Sequence, residues 1–64
     1  MTTIATAAEE AVRADYRAGI VTQGIDAYEA AQVELSIRAE DAGINLTTLV
    51  LKDTASKIAA RATA

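Results

Sequence analysis

The chain has 64 residues, a net charge of −3, and no Cys, His, Phe, Trp or Pro. This length predicts a single domain, and the composition excludes disulfides and the commonest transition-metal ligand. The negative charge disfavours nucleic acid and anionic membranes as partners. A domain of this size buries only about 60% of the surface that its unfolded chain exposes. Self-association or partner binding is the remaining way to add stability.

The first predicted element is a helix over about residues 3–18, whose apolar residues, mainly alanines, cluster on one face. Thr6 followed by Glu9 resembles a capping box, although Thr2 or Thr3 could cap the helix one turn earlier. Glu9 can also pair with Arg13, four residues on. A link over residues 19–24 follows, because glycines stand at both its ends and the β-branched residues between them continue a helix poorly.

The second predicted helix runs over about residues 25–61, with Asp26 and Glu29 as a further capping signature. The short link predicts that the two helices are antiparallel neighbours. The predicted fold class is therefore all-α: a helical hairpin with a short N-terminal helix and a long C-terminal helix. If the long helix breaks at Gly43, with Asn45 as the cap of a new helix, the fold becomes a three-helix bundle. The sequence leaves both arrangements open.

On one continuous helix, the apolar residues of this segment form two stripes on opposite sides. The first helix can cover only part of one stripe, so the remainder predicts a protein interface. In a three-helix bundle, both stripes would instead be buried within the chain. One stripe contains Tyr28, Leu35, Ala39, Ala42, Leu46 and Leu49. The other contains Val33, Ile37, Ile44, Leu51, Ala55 and Ile58.

No pattern indicates an enzyme, a cofactor or a metal site. A di-iron bundle needs inward Glu-x-x-His pairs, and the chain has no His to accompany its carboxylates. The Ser and Thr hydroxyls likewise lack a His to activate them as nucleophiles. The three glycines do not have the spacing of a phosphate-binding loop. We therefore expect no catalytic residue, no bound cofactor and no small-molecule substrate.

The stretch from Ala39 to Leu49 resembles a helix-turn-helix core. That family places an Ala four residues before a turn glycine, an apolar residue after it and a branched apolar residue six after it. Ala39, Gly43, Ile44 and Leu49 match these positions. Lys52 departs from the pattern, since a buried apolar residue is expected there. The resemblance implies a small DNA-binding regulator.

A second resemblance covers residues 24–58, which are similar to the C-terminal helix of type III export axial proteins. These are flagellar rod components and the needle or inner-rod subunits of bacterial secretion systems. Tyr28-Glu29-Ala30 resembles the start of the rod proteins' terminal helix. Ile44-Asn45, Thr47 and Lys52-Asp53 resemble the late helix of needle proteins, although the Pro-bearing turn of the needle hairpin is missing. The resemblance implies helical tubes in which each long helix is packed on both sides.

The leading hypothesis is a structural subunit that self-assembles, as a filament, rod or needle, through the two apolar stripes. The alternatives are the DNA-binding regulator and a helical adaptor or inhibitor that docks on a partner protein. No run of about 20 apolar residues predicts a membrane span, and no cleaved secretory signal is evident. We expect a soluble chain, extracellular or in the cell envelope if a type III pathway exports it and cytoplasmic otherwise.

Overall fold

The computed structural model describes residues 3–64, which form three helices: α1 Ile4–Arg17, α2 Ile25–Asp41 and α3 Thr48–Ala62. Each helix packs against both others, and residues 3–64 contain no strand. The prediction of an all-α fold is confirmed. Of the two arrangements left open, the chain adopts the three-helix bundle, because the segment predicted as one helix over 25–61 is divided at residues 42–47.

Backbone geometry at Gly43 ends α2. Gly43 has a φ of +70°, and the Ile44 N–H donates to the Ala39 carbonyl at 2.8 Å while the Gly43 N–H donates to the Glu40 carbonyl at 3.1 Å. These two bonds form a Schellman motif, which satisfies carbonyls that the helix end would otherwise leave free. The end of α1 repeats the same arrangement at Gly19, the residue at which the sequence predicts that the link begins. Both breaks are therefore encoded locally.

Threonine side chains begin α1 and α3. The Thr3 hydroxyl accepts a hydrogen bond from the Thr6 N–H at 3.1 Å, so α1 is capped one turn before the capping box that starts at Thr6. Thr2, the other early cap considered, lies outside the described residues. The Thr47 hydroxyl caps α3 by accepting from the backbone N–H three residues on. The predicted cap at Asn45 is wrong, because residues 44–47 stay non-helical.

The start of α2 differs from the predicted capping signature. Its N-cap is Gly24, which has no side chain to accept a hydrogen bond. The Asp26 carboxylate instead accepts from the Thr22 N–H at 2.8 Å and from the Thr22 hydroxyl at 3.2 Å. Asp26 also places a negative charge in the first turn, where the helix dipole favours it. These two hydrogen bonds connect the link to the first turn of α2.

The core is built mainly from alanine, with one large, fully buried side chain from each helix: Val12, Leu35 and Ile58. Alanine lets helix backbones approach closely but contributes little apolar area per residue. Leu46, between α2 and α3, packs against this core from the connection. The alanines around these side chains are Ala8, Ala27, Ala31, Ala39, Ala55, Ala59 and Ala62.

We expect Leu35→Ala to lower the free energy of unfolding by about 2–5 kcal/mol, because it leaves a cavity where the three helices meet. The matched control is Val33→Ala on the same helix, where the side chain is 57% exposed and the change should stay within about 0.5 kcal/mol. Urea denaturation of dilute protein, followed by circular dichroism, measures both. Equal losses in the two variants would contradict the assignment of the core.

We expect Gly43→Ala to destabilise the fold by roughly 1–2 kcal/mol, because a residue with a Cβ adopts this backbone conformation poorly. Apart from Gly43 itself and its two neighbours in the chain, no heavy atom lies within 4 Å of a Cβ added there, so the loss reports backbone strain and not a clash. Gly43→Asn should cost less, since Asn tolerates positive φ better. Thermal unfolding followed by circular dichroism provides the measurement. A gain in helix content and stability in Gly43→Ala would instead indicate a continuous helix.

Candidate interaction surface

The aliphatic side chains of this chain are divided between core and surface in an unusual way. The chain has 14 Val, Ile and Leu residues. Seven of them are exposed, and Leu49 is the most exposed at 82%. Single exposed aliphatic residues are ordinary, but half of the whole set is a large share for such a small core. The exposed residues are Ile20, Ile25, Val33, Ile37, Ile44, Leu49 and Val50.

The structure divides the predicted interface residues into three groups. The chain turns back at residues 42–47, so α3 packs against α2. Some residues of both predicted stripes are therefore buried within the bundle. Leu35, Ala39 and Ile58 are buried in the core of their own chain, as is Ala55. Tyr28, Leu46 and Leu51 are partly buried against it. Val33, Ile37, Ala42, Ile44 and Leu49 are exposed.

The side of α2 that points away from the core combines two aliphatic side chains with three carboxylates. Helical spacing places these five residues on one side, and all are exposed. The whole helix carries five acidic residues and one basic residue, and its Arg38 forms an ion pair with Glu34 at 3.1 Å. We call this surface the α2 outer face: Asp26, Glu29, Val33, Ile37 and Glu40.

The corresponding side of α3 has small side chains, one exposed leucine and two lysines. All of its residues are exposed. Lys57 forms an ion pair with Asp53 at 3.1 Å, whereas within residues 3–64 no carboxylate lies in ion-pair range of Lys52. We call this surface the α3 outer face: Leu49, Lys52, Asp53, Ser56, Lys57 and Ala60.

A separate charged cluster ties α1 to the C-terminal part of α3. The Arg61 Nε donates to Glu9 Oε1 at 2.6 Å, and an Arg13 guanidinium nitrogen donates to Glu9 Oε2 at 3.1 Å. Arg13 also donates to the Arg61 carbonyl at 3.3 Å. The hydrogen bond from Arg61 is the main cause that lowers the pKa of Glu9, with its charge and that of Arg13 adding to it. The sequence predicted the Glu9–Arg13 pair, but it gave no signal for Arg61, 52 residues away.

The relation of α2 to α3 also bears on the helix-turn-helix interpretation. In that motif the two helices cross at about 90–120° and are joined by a turn of three or four residues. Here Tyr28 and Ala59 line one groove, and Ser36 and Leu51 line another, so the two helices lie side by side over most of their length. Their connection, residues 42–47, is also longer. The geometry therefore favours an antiparallel bundle over a helix-turn-helix unit.

None of the three described helices is both long and apolar enough to cross a membrane. Within residues 3–64, acidic side chains do not gather in a group of three that could hold a metal ion. Comparison with family models, curated proteins and solved structures found no match.

We expect Glu9→Gln to lower the free energy of unfolding by up to about 1 kcal/mol at neutral pH, the usual range for a partly exposed ion pair. Because folding lowers the pKa of Glu9 from its ordinary value of 4.5, its ionised form stabilises the fold above that pH. This contribution is lost as the pH falls through the lowered pKa. Urea denaturation across the acid range measures it.

The matched control for this test is Glu10→Gln, which removes a neighbouring exposed carboxylate. It should change stability less, since within residues 3–64 no cation lies in ion-pair range of Glu10. A stability difference between wild type and Glu9→Gln that stayed constant down to about pH 2 would contradict the role of the ionised Glu9.

Proposed function

We propose that this protein is a structural subunit that assembles with copies of itself through the outer faces of α2 and α3. The observation that carries the proposal is the exposure of Val33, Ile37 and Leu49 on these two faces, among seven exposed aliphatic side chains out of 14 in the chain. Val33 and Ile37 stand four residues apart and are therefore neighbours on one helix face, and adjacent exposed apolar side chains are typical of a binding site. The protein acts by packing against other chains, without a chemical reaction of its own.

The energetics of the small core support self-association. Only three large side chains are fully buried in the described part of the chain, residues 3–64. The bundle therefore has little apolar stabilisation to set against the entropy of ordering the chain. Each Å² of apolar surface removed from water contributes about 25 cal/mol. A neighbouring copy that covers Val33, Ile37 and Leu49 would bury more apolar surface. It would thereby add to the hydrophobic stabilisation that the small core provides only weakly. Assembly would therefore stabilise the fold as well as build the structure.

Two different faces on one subunit favour an extended assembly. When a surface binds a different surface of the next copy, the contacts repeat from copy to copy and give a ring or an open filament. This agrees with the rod or needle subunits that the type III resemblance implies. The continuous terminal helix of that resemblance is divided here into α2 and α3, so the packing would be that of short helices. The resemblance stays a prediction.

We expect Ile37→Asp to abolish association while leaving the helix content unchanged. The side chain is 53% exposed, so a carboxylate there disrupts an apolar contact between copies without entering the core. Light scattering at protein concentrations up to about 1 mM, with circular dichroism of the same samples, measures both properties. Leu51→Asp, which the two-stripe pattern also suggests, is a poorer test because Leu51 packs against the core.

The matched control is Ile20→Asp, in the link between α1 and α2, where the side chain is 70% exposed and lies on neither outer face. This variant should assemble like wild type. Wild-type protein that stays monomeric over the whole concentration range would refute self-assembly. Monomeric protein that binds another protein only when Ile37 is intact would favour the adaptor alternative.

A further inference from the structure

We infer that, in the assembly proposed above, the α2 outer face of one copy binds the α3 outer face of the next copy. This inference depends on the proposed function, since it names the surface that each face recognises. It is carried by the opposite charge of the two helices and by the different sizes of the side chains on the two faces. The occupant of each face is thus a second copy of this chain.

Charge is segregated along the chain. α2 has five acidic residues and one basic residue, a sum of −4, whereas the whole chain carries only −3. α3 has three basic residues and one acidic residue, a sum of +2. Its outer face carries +1, from two lysines and Asp53, since Arg61 is paired with Glu9. Complementary charges of this kind orient two partners and exclude wrong pairings. The two helices that carry the outer faces are therefore the most acidic and the most basic parts of the molecule.

The side chains on the two faces are also complementary in size. The α2 outer face presents Val33 and Ile37, which are 57% and 53% exposed. The α3 outer face presents Ser56 and Ala60, which are also exposed and are small. Larger side chains of one helix fit between the small side chains of another, as helix ridges fit into grooves. Leu49, at the start of α3, adds an apolar contact at one end of this face.

Charged residues lie beside these apolar centres. On α2, Glu29 stands four residues before Val33 and Glu40 stands three after Ile37, so both lie on the same side of the helix as the aliphatic pair. On α3, Lys52 stands four residues before Ser56 and Lys57 stands three before Ala60, so each lysine lies beside one of the small residues. Contact between the faces would bring the carboxylates towards the ammonium groups.

A symmetric contact of two α2 outer faces is the main alternative between copies. It would place the acidic residues of one copy against those of the other, and like charges in close contact are unfavourable. A symmetric contact of two α3 outer faces would offer little apolar area besides Leu49. The heterologous contact avoids both problems, and it leaves one free face of each kind at the ends of every assembly.

The size of the molecule sets the conditions of the test. A standard interface buries about 800 Å² on each partner, which is roughly a fifth of the 4195 Å² surface of this chain. A subunit in the middle of an assembly would have two such contacts. The faces here are single helix surfaces and therefore smaller, so association should be weak and is best measured at protein concentrations up to about 1 mM.

The experiment uses two charge-reversal variants of the full chain. The first, Glu29→Lys with Glu40→Lys, makes the α2 outer face basic, and the second, Lys52→Glu with Lys57→Glu, makes the α3 outer face acidic. Each variant alone then has two faces of the same sign. We expect each to assemble at least about tenfold more weakly than wild type. An equal mixture should recover assembly, since the altered faces complement one another.

The matched controls reverse single charges on α1, with Glu10→Lys for the first variant and Arg17→Glu for the second. Both residues are exposed and lie outside the two faces, so both controls should assemble like wild type. Circular dichroism of every variant verifies that the bundle is folded. Sedimentation velocity of each variant and of the mixture provides the measurement.

Salt concentration gives a second measurement on wild-type protein. Raising the ionic strength from about 0.05 M to about 0.5 M screens charges beyond a few ångströms. The contact of opposite charges should weaken, whereas a symmetric contact of two acidic faces would strengthen. Weaker assembly in salt, with recovery in the mixture, supports the inference.

Several results would overturn the pairing of the faces. They are variants that assemble normally alone, a mixture that fails to recover, or assembly that strengthens with salt. In each of these cases wild-type assembly would still support the proposed function. Wild-type protein without any assembly would overturn both proposals.

Discussion

The shortage of large side chains in the core is the constraint on which the rest of this structure depends. Within residues 3–64, Val12, Leu35 and Ile58 are the only large side chains that are fully buried, and alanines surround them. Such a core holds three helices close together, but it has little apolar area to contribute. Seven of the other aliphatic side chains stay exposed on the surface, because the closely packed alanine interior has no room for them. Their exposure is thus a consequence of the same packing that makes the bundle compact.

Charged residues would determine which faces of two copies bind each other, because apolar contacts alone are not specific. The cluster of Glu9, Arg13 and Arg61 connects α1 to α3 through ion pairs within the molecule, in addition to the core packing between these helices. The Glu29 and Glu40 carboxylates of α2 and the Lys52 ammonium group of α3 are exposed and have no ion-pair partner within residues 3–64. Apolar burial would therefore supply the affinity between copies, and charge would decide which faces meet.

The proposed subunit differs from the two-striped long helix that the sequence suggests. A long helix packed on both sides would bury Leu35 and Ile58 against neighbouring copies, whereas the bundle buries them within one chain. What remains for neighbours is smaller: the aliphatic pair Val33 and Ile37 on α2 and Leu49 on α3. A single contact of this size is weak. A stable structure would therefore need many copies, each with two such contacts.

The sequence by itself determined the helical class, the position of the first link and the end of the first helix at Gly19, and it marked Gly43 only as a point where the longer segment could break. These features depend on local chemistry, because Gly19 and Gly43 adopt the positive φ that a Schellman motif requires. Helical spacing also placed Leu35 and Val33 on opposite sides of one helix. It could not decide which side faces inward, nor that Arg61 reaches Glu9. Only the tertiary structure decided these two features. Burial and long-range ion pairs depend on where the chain turns back, because the turn determines which helices become neighbours.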